Sequence, residues 1–153
     1  IKRGSALFDQ LAVAVMTNRS KKPLFTVEER VAQIREAVSG LDNVSVITND
    51  GLTVDLMNRI GADYLMRGLR NTTDFQYERD IAAMNNFLDD QCETVFFLAK
   101  PEYQHLSSSI LKEVTSSGGD ISAYLPKNIN EALKQRIEEE KLKQVKEHNE
   151  KTR

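Results

Sequence analysis

The sequence predicts a single-domain α/β protein built on a doubly wound parallel sheet. Short apolar runs alternate with segments of helical periodicity along the 153 residues, and there is no internal repeat. The first apolar run is continuous, as in strands that are buried on both faces. The length is about that of one domain and is sufficient for a hydrophobic core.

The first strand is predicted at Leu11–Met16 and is followed by a polar loop, Asn18–Phe25, which carries Lys21. Thr26 to Glu29 has the spacing of a capping box and should begin a helix. One face of that helix is apolar and consists of Val27, Val31, Ile34, Val38 and Leu41. A second strand is predicted at Val44–Ile47.

The middle of the chain repeats this order. A helix from about Leu52 to Ile60 should end at Gly61, since glycine readily adopts the left-handed conformation that closes helices. Ala62–Met66 is the third predicted strand, and Asp74 is a candidate cap for the long helix that follows. The buried stripe of that helix is predicted to be Tyr77, Ile81, Met84 and Leu88.

A fourth strand is predicted at Glu93–Ala99, and a helix should begin at Ser107–Ser109 and stop at Gly118. A last helix begins near Leu133 and continues into a charged tail. We therefore divide the chain into an α/β core at residues 1–133 and a solvated helical tail at residues 134–153.

Composition excludes several classes of protein. The net charge of −2 indicates no general attraction to nucleic acid or to acidic membranes, and no apolar run approaches the length of a membrane span. Cys92 is the single cysteine, which excludes an internal disulfide and fits a cytoplasmic location. No metal-ligand motif is present, so no metal-binding side chains are predicted.

Arg67, Gly68 and Arg70 follow the third predicted strand and indicate half of a phosphate site. Guanidinium groups match phosphate oxygens, and ligands of open α/β sheets bind at the carboxyl ends of strands. The alternative is structural ion pairing of the arginines with Asp74 or Glu78, which is about equally consistent with the sequence.

The second half of the site is predicted at Ser107–Ser109, because a helix N-terminus with hydroxyl groups binds anions. Plain N-capping is the alternative. On sequence alone Lys21 is better explained as a solvated loop residue, while Glu78 is either an acceptor for ribose or adenine or a surface carboxylate. His105 adjoins the serines but is weak evidence by itself.

The ordered set of segments resembles the bacterial phosphopantetheine adenylyltransferases. The matching segments are Ser20–Thr26, Glu28–Arg30, Arg67–Arg70, Asp74–Glu78, Met84–Asn85, Ser107–Val114, Gly119–Asp120 and Tyr124–Pro126. The resemblance implies a Rossmann-like nucleotidyltransferase fold that joins the adenylyl group of ATP to 4'-phosphopantetheine with Mg²⁺, giving dephospho-CoA and pyrophosphate. It also implies a homo-oligomer, expected to be a hexamer, with coenzyme A as a feedback ligand.

Site residues follow from the resemblance, position by position. Lys21 and Arg67 should contact the phosphate of phosphopantetheine, Thr53 should lie along the pantetheine arm, and Lys21 and Arg70 should act in catalysis. The ATP site is expected at Gly68, Leu69, Arg70, Glu78, Tyr103, Gln104, His105, Leu106, Ser107, Ser108 and Ser109.

Two alternatives stay open at this point: a related nucleotidyltransferase with another acceptor, or a nucleotide- or coenzyme A-binding module without activity. The family pattern opens with a strand, a tight turn and a Gly-His pair that have no match here. Roughly twenty residues, about one strand, a turn and the start of a helix, would carry that motif. We expect the natural protein to contain them.

Overall fold

The computed structural model describes residues 1–17 and 23–151, with the backbone alone for residues 147–151. Helices and strands alternate along these residues. The strands are β1 (Leu11–Met16), β2 (Val44–Asn49), β3 (Tyr64–Leu69) and β4 (Glu93–Leu98). The helices are α1 (Lys2–Ser5), α2 (Val27–Ala37), α3 (Thr53–Ile60), α4 (Thr72–Leu88), α5 (Ser108–Ser116) and α6 (Lys127–Lys151).

All pairing between the described strands is parallel, which confirms the predicted α/β class. β1 pairs with β2 from Leu11 opposite Val44, and β3 pairs with β4 from Tyr64 opposite Glu93. The four strands form two two-stranded sheets, and within residues 1–17 and 23–151 no strand is hydrogen-bonded to the other edge of β1 or β3. In each pair the carboxyl ends of both strands lie at the same edge, as parallel pairing requires.

The chain folds into two compact units. The first contains α1, β1 and Leu41–His105, and the second contains α2 and the chain from Leu106 onward. In the first unit Val54, Met57 and Cys92 form a buried cluster with Ala62 and Leu65 against it. In the second unit the buried cluster is Ile121, Leu133 and Ile137, covered by Leu24, Phe25, Leu111 and Leu125.

Local signals in the sequence account for most helix ends. The hydroxyl of Thr26 accepts from the backbone N–H of Glu29, whose carboxylate accepts from the backbone N–H of Thr26, so the capping box is confirmed. Gly61 closes α3 with φ 65°, a left-handed conformation that favours glycine. Ser107 caps α5 through a hydrogen bond from the backbone N–H of Ile110.

Several boundaries differ from those predicted. By one or two residues, β2 ends later, at Asn49, β3 begins later, at Tyr64, and β4 ends earlier, at Leu98. Two differences are larger. β3 extends to Leu69, three residues beyond the expected end, because pairing with β4 carries the strand past the last continuous apolar residue. α6 begins at Lys127, not near Leu133, since its first turn is polar and shows no apolar periodicity. The helix runs through residue 133 without a break, and Leu133 and Ile137 share one cluster. The division of the chain at residue 133 stays a prediction.

The prediction for α4 was wrong in two respects. Its cap is Asn71, whose side-chain oxygen accepts from the backbone N–H of Asp74, so Asp74 lies in the first turn and does not cap it. The stripe predicted to be buried is exposed: Tyr77, Ile81, Met84 and Leu88. The least exposed face of the helix is instead mostly polar, and two of its residues, Asp74 and Glu78, bind Arg70 and Arg67 at the end of β3.

Candidate functional site

The two arginines of the site occupy different positions on β3. Arg67 lies within the strand, opposite Phe96 of β4, whereas Arg70 directly follows the last strand residue, Leu69. Both guanidinium groups are held by α4, the helix that follows. The sequence alternatives of ion pairing with Asp74 and Glu78 are therefore both realised. Binding of a phosphate by the arginines stays a prediction.

Arg67 forms a two-pronged ion pair with Glu78. Its Nε donates to Oε2 over 2.7 Å and its Nη2 donates to Oε1 over 2.5 Å. The hydrogen bonds from Arg67 to Glu78 raise the pKa of the guanidinium, so the side chain keeps its charge at every working pH. Because both prongs are satisfied, the plane of the Arg67 fork is fixed relative to α4.

Arg70 is fixed in the same way by Asp74. Its Nε and Nη2 donate to the two carboxylate oxygens over 2.7 and 3.0 Å, and its backbone N–H donates to Oδ2 over 3.1 Å. The hydrogen bond from the Arg70 side chain lowers the pKa of Asp74. Together with the cap at Asn71, these contacts hold the turn between β3 and α4 and orient the Arg70 guanidinium.

A cavity of about 320 Å³ lies at the carboxyl ends of β3 and β4. Arg70 and Gln104 supply polar groups, while Leu98, at 70% exposure, and Phe75 supply apolar surface. The full lining is Leu69, Arg70, Asn71, Thr72, Phe75, Leu98 and Gln104. An apolar wall beside a fixed guanidinium suits a ligand that combines a flat ring with an anionic group.

Phe75, Leu98 and the turn residues Asn71 and Thr72 were missed as lining residues. They could have been found from the ends of the strands, because the carboxyl ends of paired parallel strands meet at one edge of the sheet. The edge next to Arg70 therefore also holds Leu98, the last residue of β4. Phe75 packs edge-on against Phe96 at 6.2 Å between ring centroids, which keeps its ring beside the cavity.

The other predicted site residues of the first unit lie within β3, in the segment after β4 and on α3. Gly68 is exposed within β3, and apart from its chain neighbours no described residue comes within 4 Å of the space that a Cβ would occupy. Tyr103 ends a short 3₁₀ turn after β4, Gln104 donates to the carbonyl of Ala99 over 3.3 Å, and His105 follows. Thr53 is the first residue of α3 and is half-buried.

The serines belong to the second unit. Ser107 is half-buried and its hydroxyl is used as the cap of α5, whereas Ser108 and Ser109 are exposed in the first turn of that helix. Leu106 directly precedes the cap and is half-buried. The capping alternative is thus confirmed for Ser107, and an anion-binding role stays a prediction. Lys21 lies outside the described residues.

Comparison with known proteins identifies the family of the chain. Residues 1–114 match the cytidylyltransferase-like family. Across all of its length the chain is 88% identical to the phosphopantetheine adenylyltransferase of Limosilactobacillus reuteri (strain DSM 20016), of which it covers 88%. It is 71% identical to that of Limosilactobacillus fermentum, again with 100% and 88% coverage. For Lactiplantibacillus plantarum the identity is 51%, over 90% of this chain and 84% of the relative. The chain therefore belongs to the phosphopantetheine adenylyltransferase family.

Proposed function

We propose that the protein transfers the adenylyl group of ATP to 4'-phosphopantetheine, producing dephospho-CoA and pyrophosphate in the biosynthesis of coenzyme A. The observation that carries the proposal is the 88% identity, over the whole chain, to a phosphopantetheine adenylyltransferase. The cavity beside Arg70 at the carboxyl ends of β3 and β4 supports it, because nucleotides bind at this edge of open α/β sheets.

The proposed reaction needs no nucleophilic side chain. An oxygen of the acceptor phosphate attacks the α-phosphorus of ATP, the bond from that phosphorus to the bridging oxygen of the β-phosphate breaks, and pyrophosphate leaves with the electron pair. Catalysis of such a transfer consists mainly of alignment and of stabilising charge on the phosphate oxygens. The guanidinium groups of Arg67 and Arg70, which are held by carboxylates of α4, and the ammonium of Lys21 would supply both.

Each residue has a proposed role. Lys21 and Arg67 bind the attacking phosphate, and Thr53 contacts the pantetheine arm. Arg70 stabilises the polyphosphate as pyrophosphate departs. The remaining ATP contacts are proposed for Gly68, Leu69, Glu78 and the stretch from Tyr103 to Ser109. Because Arg67 already engages both oxygens of Glu78, a nucleotide contact by Glu78 would use its remaining lone pairs.

We propose that Mg²⁺ enters with ATP as part of the nucleotide substrate. Among the side chains that the structure describes, those of residues 1–17 and 23–146, no group of three from His, Cys, Asp or Glu is arranged for metal binding. Asp74 and Glu78, the carboxylates beside the two arginines, are both ion-paired. These residues do not fit a metal site held by the protein alone. Mg²⁺ commonly binds through substrate phosphates and water.

We also propose a cytoplasmic homo-oligomer, a hexamer by analogy with the family, with coenzyme A as a feedback ligand. No helix in the described part of the chain has the length and apolar character needed to cross a membrane. Neither nucleic acid nor a membrane is a proposed partner.

Pyrophosphate release tests the proposal. The protein is incubated with Mg²⁺ and either ATP or CTP, and with either 4'-phosphopantetheine or pantetheine, which lacks the acceptor phosphate. We expect release only with ATP and 4'-phosphopantetheine together. Release with another nucleotide or acceptor would show a different transferase. Tight ATP binding by calorimetry without release would show a binding module.

A variant pair tests the assigned acceptor contact. Lys21→Ala should lower turnover by orders of magnitude, because an ammonium that stabilises the transition state is lost. Lys127→Ala is the matched control, since the Lys127 side chain is solvent-exposed on α6 with a 3.9 Å pairing to Glu131. Unchanged turnover of folded Lys21→Ala would remove that residue from the mechanism.

A further inference from the structure

The side chain of Asn49 is buried at the carboxyl end of β2. Asn49 is the last residue of the strand and is 6% exposed. Its backbone carbonyl accepts from the backbone N–H of Thr17 over 2.9 Å, which joins the ends of β1 and β2. This is the edge at which open α/β sheets bind their ligands. Buried polar side chains are hydrogen-bonded, so the partners of Asn49 show what it holds in place.

The Asn49 amide links the end of β2 to the turn before α3 and to the last turn of that helix. Its Nδ2 donates to the carbonyl oxygens of Gly51 and Leu52, over 2.9 and 3.3 Å. Its Oδ1 accepts from Nη2 of Arg59, near the end of α3, over 2.9 Å. Carbonyl oxygens require a donor and a guanidinium requires an acceptor, so the amide fits in one orientation only.

The turn before α3 is not held by burial. Asp50, Gly51 and Leu52 are all exposed. Leu52 occupies the cap position of α3, where a serine, threonine, aspartate or asparagine would supply a side-chain hydrogen bond, and it supplies none. The two hydrogen bonds from the buried Asn49 amide therefore take the place of a cap in fixing this turn.

These hydrogen bonds also set the direction of the backbone that enters α3. In a trans peptide the carbonyl and the N–H lie in one plane and point in opposite directions. Asn49 holds the carbonyls of Gly51 and Leu52. The N–H groups of the next residues in turn, Leu52 and Thr53, are therefore directed away from the Asn49 amide. The placement of Thr53, the first residue of α3, depends on Asn49.

We infer that Asn49 is a positioning residue for the acceptor substrate. It fixes the turn that places Thr53 along the pantetheine arm, and Arg59 holds the amide in the orientation that this requires. The inference rests on the proposed function, in which Thr53 contacts the arm. It adds the two side chains that determine where that contact lies.

Steady-state kinetics on the full chain test the inference. Asn49→Ala removes both donations to the turn, and misplacement of a binding group should raise KM for 4'-phosphopantetheine roughly 10- to 100-fold. KM for ATP should stay within about twofold of wild type, because the change affects binding of one substrate only. Circular dichroism melting establishes that the variant folds.

Asn43→Ala is the matched control. Asn43 directly precedes β2, and its Nδ2 also donates to two backbone carbonyls, those of Ser5 and Phe8, over 2.8 and 2.9 Å. It lies at the amino end of the strand, opposite the ligand-binding edge. The variant loses the same pair of donations, so its melting temperature should fall, but KM for both substrates should stay within about twofold of wild type.

Variants of Arg59 provide a second measurement that leaves the buried asparagine in place. Arg59 is exposed, so its replacement should be tolerated by the fold. Arg59→Met should raise KM for 4'-phosphopantetheine, whereas Arg59→Lys, which keeps a donor for Oδ1, should restore it. Added to Asn49→Ala, Arg59→Met should raise KM no further, because the contact between the two side chains is already absent.

The outcomes separate this inference from the proposed function. A wild type that releases no pyrophosphate from ATP and 4'-phosphopantetheine would overturn both. With an active wild type, folded Asn49→Ala with an unchanged KM for 4'-phosphopantetheine would overturn this inference alone, as would an equal rise in Asn43→Ala. If Asn49→Ala does not fold, an unchanged KM in Arg59→Met would overturn it.

Discussion

Arg70→Lys tests whether the fixed guanidinium fork, and not merely a positive charge, holds the nucleotide. Arg70 uses Nε and Nη2 to bind both oxygens of Asp74, which sets the plane of the group beside the cavity. Lysine keeps the charge but has one nitrogen, which cannot reproduce a planar, two-pronged contact with Asp74 while holding a phosphate.

The expected loss follows from the contact that lysine cannot make. One charge-assisted hydrogen bond to the ligand is worth about 1.5–3 kcal/mol. At about 1.4 kcal/mol for each factor of ten, kcat/KM for ATP should fall roughly 10- to 150-fold. Initial rates of pyrophosphate release over a range of ATP concentrations, at saturating 4'-phosphopantetheine, give that ratio directly.

Arg79→Lys is the matched control, because Arg79 lies on the same helix and also pairs with a neighbouring carboxylate, Asp80, at the surface. Its activity should stay within about twofold of wild type, since exposed pairs contribute little. If Arg70→Lys is as active as wild type, or if Arg70→Lys and Arg79→Lys lose activity to the same degree, the guanidinium of Arg70 does not hold the nucleotide.

Three further outcomes concern stability. Ile137→Ala should cost about 2–5 kcal/mol in urea unfolding, because Ile137 is 6% exposed in the core of the second unit. Leu142→Ala on the same helix should cost no more than about 0.5 kcal/mol, and equal losses would contradict the assigned core. Asn71→Ala should lower Tm by about 2–4 °C through loss of the α4 cap, worth about 1 kcal/mol, and an unchanged melt would refute the cap. Because the hydrogen bond from Arg70 lowers the pKa of Asp74 below its ordinary 3.8, stabilisation by this pair is complete above pH 3.8 and is lost as the pH falls through the lowered pKa. As the pH is lowered stepwise, the free energy of unfolding of wild type should therefore approach that of Asp74→Asn. A difference between the two that stays constant with pH would contradict the pairing.

The parts of the fold that depend on local chemistry could be predicted from the sequence. The capping box at Thr26, the left-handed Gly61 and the cap at Ser107 each rest on a few neighbouring residues, and all three are confirmed. The first strand, Leu11–Met16, was predicted to the residue because its apolar run coincides with its pairing to β2.

The failures occurred where a distant partner decides the outcome. β3 continues through Arg67 because β4 supplies hydrogen bonds, which hydrophobicity does not record. Periodicity correctly identified the apolar face of α4 but could not say whether that face meets its own sheet. The ion pairs of Arg67 and Arg70 with α4 determine which face of the helix meets the sheet. From the sequence alone, ion pairing and ligand binding were equally good explanations of the two arginines.

The buried cluster around Cys92 has a practical consequence. Cys92 is the single cysteine of the sequence, and its Sγ lies 3.4 Å from Sδ of Met57. Burial raises the pKa of the thiol, so both access and thiolate formation are suppressed in the folded state. Reaction of this thiol with an aromatic disulfide reagent therefore requires the cluster between α3 and β4 to open. The rate of that reaction therefore reports the opening of this cluster in the 153-residue chain, with no engineered label.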